Sequence, residues 1–174
     1  MEKSAKDEII DIYYFDESGF NLTPNVPYAW STVGKTISIP SRISKKLNVL
    51  GFLNINNSKL FASTTYDKVN SDLVIGMFNL FSEQITKETI VVLDNAPTHT
   101  SENFQAQIEL WEQKGLKLFF LPPYSPQLNP IEILWRFMKY NWIDLDAYKS
   151  VQNMKNYVEK VIIGYGNNYE VIFE

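Results

Sequence analysis

Hydrophobic and polar positions change period several times along the chain, and each change marks an element. Residues 9–16, IIDIYYFD, are β-branched and aromatic almost throughout and predict a first strand ending on Asp16. Further strands are expected at 35–39, 46–54 and 59–66, with Asn56 and Asn57 turning a hairpin between the last two. From 71 to 85 the period becomes helical. Leu73, Met77, Phe78, Phe81 and Ile85 recur at three- and four-residue steps behind a cap at Asn70 or Ser71. TIVVLD, 89–94, reads as a short buried strand ending on an acid. A helix over 101–113 follows, with Phe104, Ile108 and Trp111 on one face and Gly115 as its stop. LKLFFL, 116–121, is another strand. The proline-rich LPPYSPQLNP is an ordered loop, and helices over 130–142 and 150–163 complete the pattern. No repeat or linker interrupts it, so one domain over 1–174 is expected. This order predicts an α/β fold, a mixed central sheet with helices on both faces.

Composition narrows the chemistry. A chain of 174 residues that is 45% apolar can bury one sizeable core. Without cysteine it has no disulfide, thiolate metal site or thiol nucleophile. The opening MEKSAKDEII lacks the apolar run of a signal peptide, and no stretch is long enough to span a bilayer. A soluble, cytoplasmic protein with no membrane partner is therefore expected. The net charge of −4 does not mark a nucleic-acid binder, but its distribution is uneven. Lys35, Arg42, Lys45 and Lys46 fall in a segment without an acid, leaving 12 basic against 20 acidic residues elsewhere. Such a segment suits a phosphate-contacting edge and equally a solvated loop.

Three acids stand out. Asp16 lies in YYFDESGF, and if the strand continues its neighbour Glu17 points to the opposite face, so only one of them serves a given site. Asp94 closes an apolar strand, where a lone buried carboxylate costs several kcal/mol unless paired or bound to a cation. Capping the next helix and a functional role explain it equally well. Glu132 follows Asn129 and Pro130 as the third residue of a helix start, the place of a capping-box glutamate. On local evidence alone the capping role is the better one. Of the four tryptophans, Trp111 and Trp135 lie on apolar helical faces and are assigned to the core; Trp30 has no assignment.

Taken together the blocks say more. DESGF, LDNAPTHTS and LPPYSPQLNPIEILW occur in this order, with 37 residues between Asp94 and Glu132. They resemble the catalytic blocks of the mariner-like DDE transposases, above all the bacterial insertion-sequence six-thirty group. YAWSTVGKT, 28–36, is similar to the tryptophan-and-glycine block that follows the first aspartate there. The resemblance runs from about 11 to 142 and implies a ribonuclease H-like fold. It implies that Asp16, Asp94 and Glu132 hold two divalent ions, Mg²⁺ or Mn²⁺, for DNA cleavage and strand transfer, and hard carboxylate oxygens suit such ions. Without the ions the three acids should repel one another.

The same resemblance gives Asn95 and His99 a supporting role, His99 orienting Asp94 or contacting phosphate. It places Tyr124 and Ser125 along the DNA path, although the prolines could equally serve only to stiffen that loop. Double-stranded DNA, both element ends and target, is the implied partner, and dimerisation is implied too. A helix-turn-helix module that reads the element ends is expected to be missing or encoded separately, with the protein acting on bacterial chromosomal DNA. Two other readings compete. A catalytically inert remnant that binds DNA or a partner would have no reason to keep all three acids. A plain nuclease of the same fold would have no need of LPPYSPQLNPIE.

Overall fold

Alternation along the first strand sorts its side chains between two cores. β1 (Asp11–Phe20) puts Ile12, Tyr14 and Phe20 into one hydrophobic cluster and Phe15 into another, as a two-residue period requires. The computed structural model describes residues 10–23, 33–34 and 45–173. The strand expected at 35–39, the cations Lys35 and Arg42, and Trp30 lie outside the described residues. β2 (Leu47–Asn54) is buried along its whole length because both its faces are covered. With β3 (Lys59–Thr65), β4 (Thr89–Leu93) and β5 (Leu116–Phe120) it forms a sheet of order β3-β2-β1-β4-β5. β1–β2 and β2–β3 are antiparallel, while β1–β4 and β4–β5 are parallel. The sheet is mixed, as the sequence predicts.

Helices cover both faces. α1 (Ser71–Ser82), α2 (Glu102–Gln105) and α3 (Ile108–Gln113) pack Val74, Phe78, Phe81, Phe104 and Trp111 against Phe15 and Phe52. Phe78 sits 4.9 Å from the Trp111 ring and 5.3 Å from that of Phe104. On the other face α4 (Ile131–Phe137) and α5 (Val151–Gly164) bury Ile131, Leu134, Trp135, Val158 and Val161 against Ile12, Tyr14 and Val49. Trp111 and Trp135 are core residues, as their helical spacing implies. Asn70 caps α1, its side chain accepting the Leu73 N–H at 2.9 Å.

Four boundaries differ from the sequence expectation. β1 continues beyond Asp16 to Phe20 because β2 goes on pairing with it, Asp16 opposite Gly51 and Glu17 opposite Leu50. The helix expected over 101–113 is two short ones, separated by a tight turn in which the Gln107 N–H bonds to the Phe104 carbonyl. α1 stops at Ser82. The helix expected over 130–142 opens after Phe137 into a wide π-turn, Met138–Trp142, closed by the Ile143 N–H on the Met138 carbonyl. The Asn56–Asn57 hairpin is present, and the left-handed residue in it is Ser58, at φ 51. Among the described residues no helix is long and apolar enough to cross a membrane.

Gly51 positions α4. A Cβ there would lie 2.9 Å from Cη2 of Trp135, so glycine opposite Asp16 is what lets the indole rest on the sheet.

Candidate active site

The parallel register of β1 and β4 brings two of the acids together. Tyr14 is level with Val92, and Asp16 and Asp94 each lie two residues further on. The two-residue period keeps them on the α4 side, and neighbouring strands run about 4.8 Å apart. α4 supplies Glu132 from above that edge. Asp16 and Glu132 line a cleft of about 630 Å³ with Trp135, Arg136, Lys139 and Tyr140. Asp94 and Glu132 line a second of about 490 Å³ with Tyr124, Ser125 and Asn129. Glu132 is the wall the two share.

Charge is poorly compensated at two of the three. Burial, then the carboxylates of Glu17, Glu132 and Asp94, push the Asp16 pKa well above the usual range against a backbone hydrogen bond from Glu17. Burial and Asp94 raise that of Glu132, with Arg136 opposing them. Asp94 behaves differently. Its Oδ1 accepts the Ala96 N–H at 3.0 Å and faces His99 Nδ1 at 2.8 Å, and the histidine contact leads in lowering its pKa. The expected mutual repulsion therefore falls on Asp16 and Glu132, while His99 relieves Asp94.

The helix start before Glu132 is not the capping box its sequence resembles. Pro130 occupies the cap position with no side-chain cap, and the Glu132 carboxylate makes no hydrogen bond among the described residues. Asn129 turns inward instead. It is 3% exposed, and its Nδ2 donates to the Phe15 carbonyl at 3.1 Å, beside Asp16. A cap would have folded the glutamate back on the backbone; tying the loop through Asn129 leaves that carboxylate free over the cleft.

His99 is 1% exposed, with Glu17 Oε2 3.5 Å from its Nε2. Burial disfavours its charge, but the Asp94 and Glu17 carboxylates outweigh that and raise its pKa to about 9. Such burial leaves no surface for the phosphate contact expected as one of its two roles, and the contact to Asp94 is the one it makes. A pH dependence follows. A histidine whose folded pKa is raised adds stability that is full below its unfolded value near 6.5 and is lost as pH rises through about 9. Urea unfolding in chelator should therefore lose on the order of 2 kcal/mol between pH 6.5 and 9.5. His99→Phe should flatten that dependence; a variant as pH-sensitive as the parent would contradict the assignment.

Asn95, exposed, donates its side-chain amide to the Leu121 carbonyl and so ties the end of β4 to that of β5. Tyr124 is fully exposed at φ 56, a strained conformation for a non-glycine residue, on the rim beside Asp94. Ser125 donates to the Pro123 carbonyl at 3.3 Å. Lys45 and Lys46 are exposed. Three residues absent from the sequence reading of the site belong to it: Glu17 as the second partner of His99, and Arg136 and Lys139 on the cleft wall. Burial lowers the Lys139 pKa, Lys46 adds to that, and Asp16 opposes it. The signal for both cations was their spacing: four and seven residues after Glu132 is one helical stripe.

Among the described residues no three His, Asp or Glu side chains close into a cation-sized ligand group. The donors nevertheless fit a hard divalent cation. Asp16 and Glu132 carry raised pKa values with no cationic partner bonded to them, and the side-chain hydrogen bonds of Asp94 to the described residues fall on Oδ1.

The chain matches the DDE superfamily endonuclease family over residues 11–155. An uncharacterized protein of Sinorhizobium fredii, y4pE/y4sA, is 32% identical over 65 residues, 37% of this chain and 44% of that protein. Among solved structures, the Mos1 mariner paired-end complex with Mn superposes with a TM-score of 0.64 at 18% identity, over 94% of this chain and 51% of that one. The catalytic domain of Mos1 mariner transposase gives 0.58 at 14%, over 93% and 74%. The HTLV-2 integrase catalytic core in complex with magnesium gives 0.57 at 14%, over 88% and 84%. Likeness at these identities is likeness of fold, and the fold is ribonuclease H-like. The chain spans about half the length of the Mos1 chains in the paired-end complexes.

Proposed function

Because the chain belongs to the DDE superfamily endonucleases, we propose that it is the catalytic domain of a mariner-like DNA transposase, cutting and rejoining phosphodiester bonds at Asp16, Asp94 and Glu132. The observation that carries this reading is that Glu132 of α4 lines one cleft with Asp16 of β1 and a second with Asp94 at the end of β4, with the charges of Asp16 and Glu132 poorly compensated. Structural acids are paired or well hydrogen-bonded; Asp94 is, through His99 and the Ala96 N–H, whereas Asp16 has a single backbone hydrogen bond, from Glu17, too weak to offset its burial. The Mos1 complex with Mn and the HTLV-2 integrase core with magnesium support divalent ions, and the Mos1 complex with a transposon end supports DNA.

The three carboxylates would hold Mg²⁺ or Mn²⁺. Bound there, such ions would supply Lewis acidity to the scissile phosphate and lower the pKa of an attacking hydroxyl. The protein's own part is placement. Arg136 and Lys139 flank the carboxylates on one helical stripe, where a guanidinium and an ammonium can take non-bridging phosphate oxygens. Lys45 and Lys46 extend positive charge beyond the end of the sheet, and Tyr124 presents an aromatic face at the rim. His99 and Asn95 keep the end of β4 in place.

Supercoiled plasmid is the direct substrate for a test. The chain should nick it in Mg²⁺ or Mn²⁺ and leave it intact in chelator; nicking that survives chelation would remove metal from the account. The basic edge gives a second expectation. Lys45→Ala with Lys46→Ala should weaken duplex binding evenly across sequences and reduce the salt slope by at most about two. An unchanged slope would show that those lysines stand clear of the backbone.

A further inference from the structure

We propose that Glu17 is a positioning residue for Asp94, acting through His99; the inference rests on Asp94 being a cation ligand. Strand alternation sends Glu17 to the face opposite Asp16, toward the aromatic core under α1 and α2. A carboxylate there is expensive unless something answers it. Glu17 Oε2 and His99 Nε2 are both fully buried, neither has a hydrogen-bond partner among the described residues, and they face each other at 3.5 Å.

The imidazole between the two acids has little freedom. Its ring lies 5.5 Å from Phe15 and 5.9 Å from Phe104, both edges of the same aromatic cluster. Its backbone N–H bonds to the Ala96 carbonyl at 2.8 Å, and its own carbonyl accepts from Gln105 Nε2 at 3.0 Å. Nδ1 then meets Asp94 Oδ1, the same oxygen that accepts the Ala96 N–H. Both contacts fall on Oδ1, neither on Oδ2, and the Asp94 side chain is 55% exposed beside the cleft. Glu17 on β1 thus reaches beneath the sheet edge to fix the rotamer of an acid on the adjacent strand. Partners of this kind, behind a ligand, typically govern metal affinity by about 10- to 100-fold.

His99 is the chain's one histidine, so its ring nitrogens give unambiguous signals in ¹⁵N-labelled protein. Magnesium titration followed at those signals measures binding without any turnover. In the parent the signals should move and saturate. Glu17→Ala should raise the Mg²⁺ midpoint about tenfold, and Glu17→Gln, which keeps an acceptor for Nε2, should stay within about threefold of the parent. If Glu17→Ala is too unstable, Glu17→Asp, one methylene too short, replaces it. An unchanged midpoint in the shortened variant overturns the proposal. So does an equal loss in Glu17→Gln, which would reduce the effect to charge. In a His99→Asn background, where the new amide can still reach Asp94 and Mg²⁺ binding is followed by calorimetry because the imidazole signals are gone, removing Glu17 should have no further effect; an undiminished effect overturns the route through His99. Asp94→Asn separates the two levels: if it leaves the midpoint unchanged, Asp94 is no ligand and the functional reading itself fails.

Discussion

Asp16→Asn should melt above the parent in chelator at neutral pH and cut no DNA. Asp16 lies beside Glu17, Glu132 and Asp94 in a partly buried position, and its pKa is raised. A raised carboxylate favours its protonated form in the folded protein. The stability that form contributes is full below the unfolded carboxylate range and is lost as pH rises through the folded value. At pH 7 the folded parent therefore carries the repulsion, which for like charges a few ångströms apart is on the order of 1–4 kcal/mol before screening. An isosteric amide removes it. A gain of about 2–4 °C per kcal/mol is the scale for a chain of this size, and parent and variant should converge in acid. Cleavage should fall at least about a hundredfold, the scale of losing one preorganised electrostatic group. Asp94→Asn should do the reverse to stability, because it breaks the contact to His99. Differential scanning in chelator at pH 4 and pH 7 checks both. If Asp16→Asn melts lower at pH 7, the acid is a structural partner.

Gly51→Val should disable the site without touching any acid. The new Cβ alone would stand 2.9 Å from Cη2 of Trp135 and 3.4 Å from Leu60 Cδ1. Trp135 is 3% exposed on α4, one turn after Glu132, and has nowhere to retreat except by lifting the helix. Overpacking of this kind costs about 1–3 kcal/mol. Lifting α4 carries Glu132 away from Asp16, and a displacement of about 1 Å is enough for a hundredfold loss of rate. Urea unfolding and plasmid nicking on the same preparation test it. A destabilised variant that cuts at the parent rate would show that the seat of α4 does not place Glu132.

Where side chains repeat with a period, the sequence was readable. The apolar and aromatic runs at 9–16 and 89–94 gave β1 and β4, and Leu73 through Phe81 gave α1. The three acids stood out as a set through the resemblance of their blocks to the DDE transposases; taken singly, Asp94 read equally well as a cap and Glu132 better as one. What could not be read was set by partners far along the chain. β1 outruns Asp16 only because β2 keeps pairing with it. Asn129 abandons α4 because the Phe15 carbonyl, 114 residues earlier, offers a better bond. Glu17 could be placed on the wrong face for the site, but not against a histidine 82 positions later in sequence. Arg136 and Lys139 were passed over although their spacing from Glu132 marks one helical stripe, because only the charge of Asp16 gives that stripe meaning.

Metal binding tests the three acids together. Parent, Asp16→Asn, Asp94→Asn and Glu132→Gln should each be titrated with Mn²⁺ by calorimetry, with plasmid nicking assayed on the same samples. The parent should bind Mn²⁺ and nick DNA in proportion to occupancy, gaining thermal stability by mass action. Each variant should bind at least about tenfold more weakly and nick at background. Variants that bind Mn²⁺ and cut as the parent does would show that Asp16, Asp94 and Glu132 are not the site.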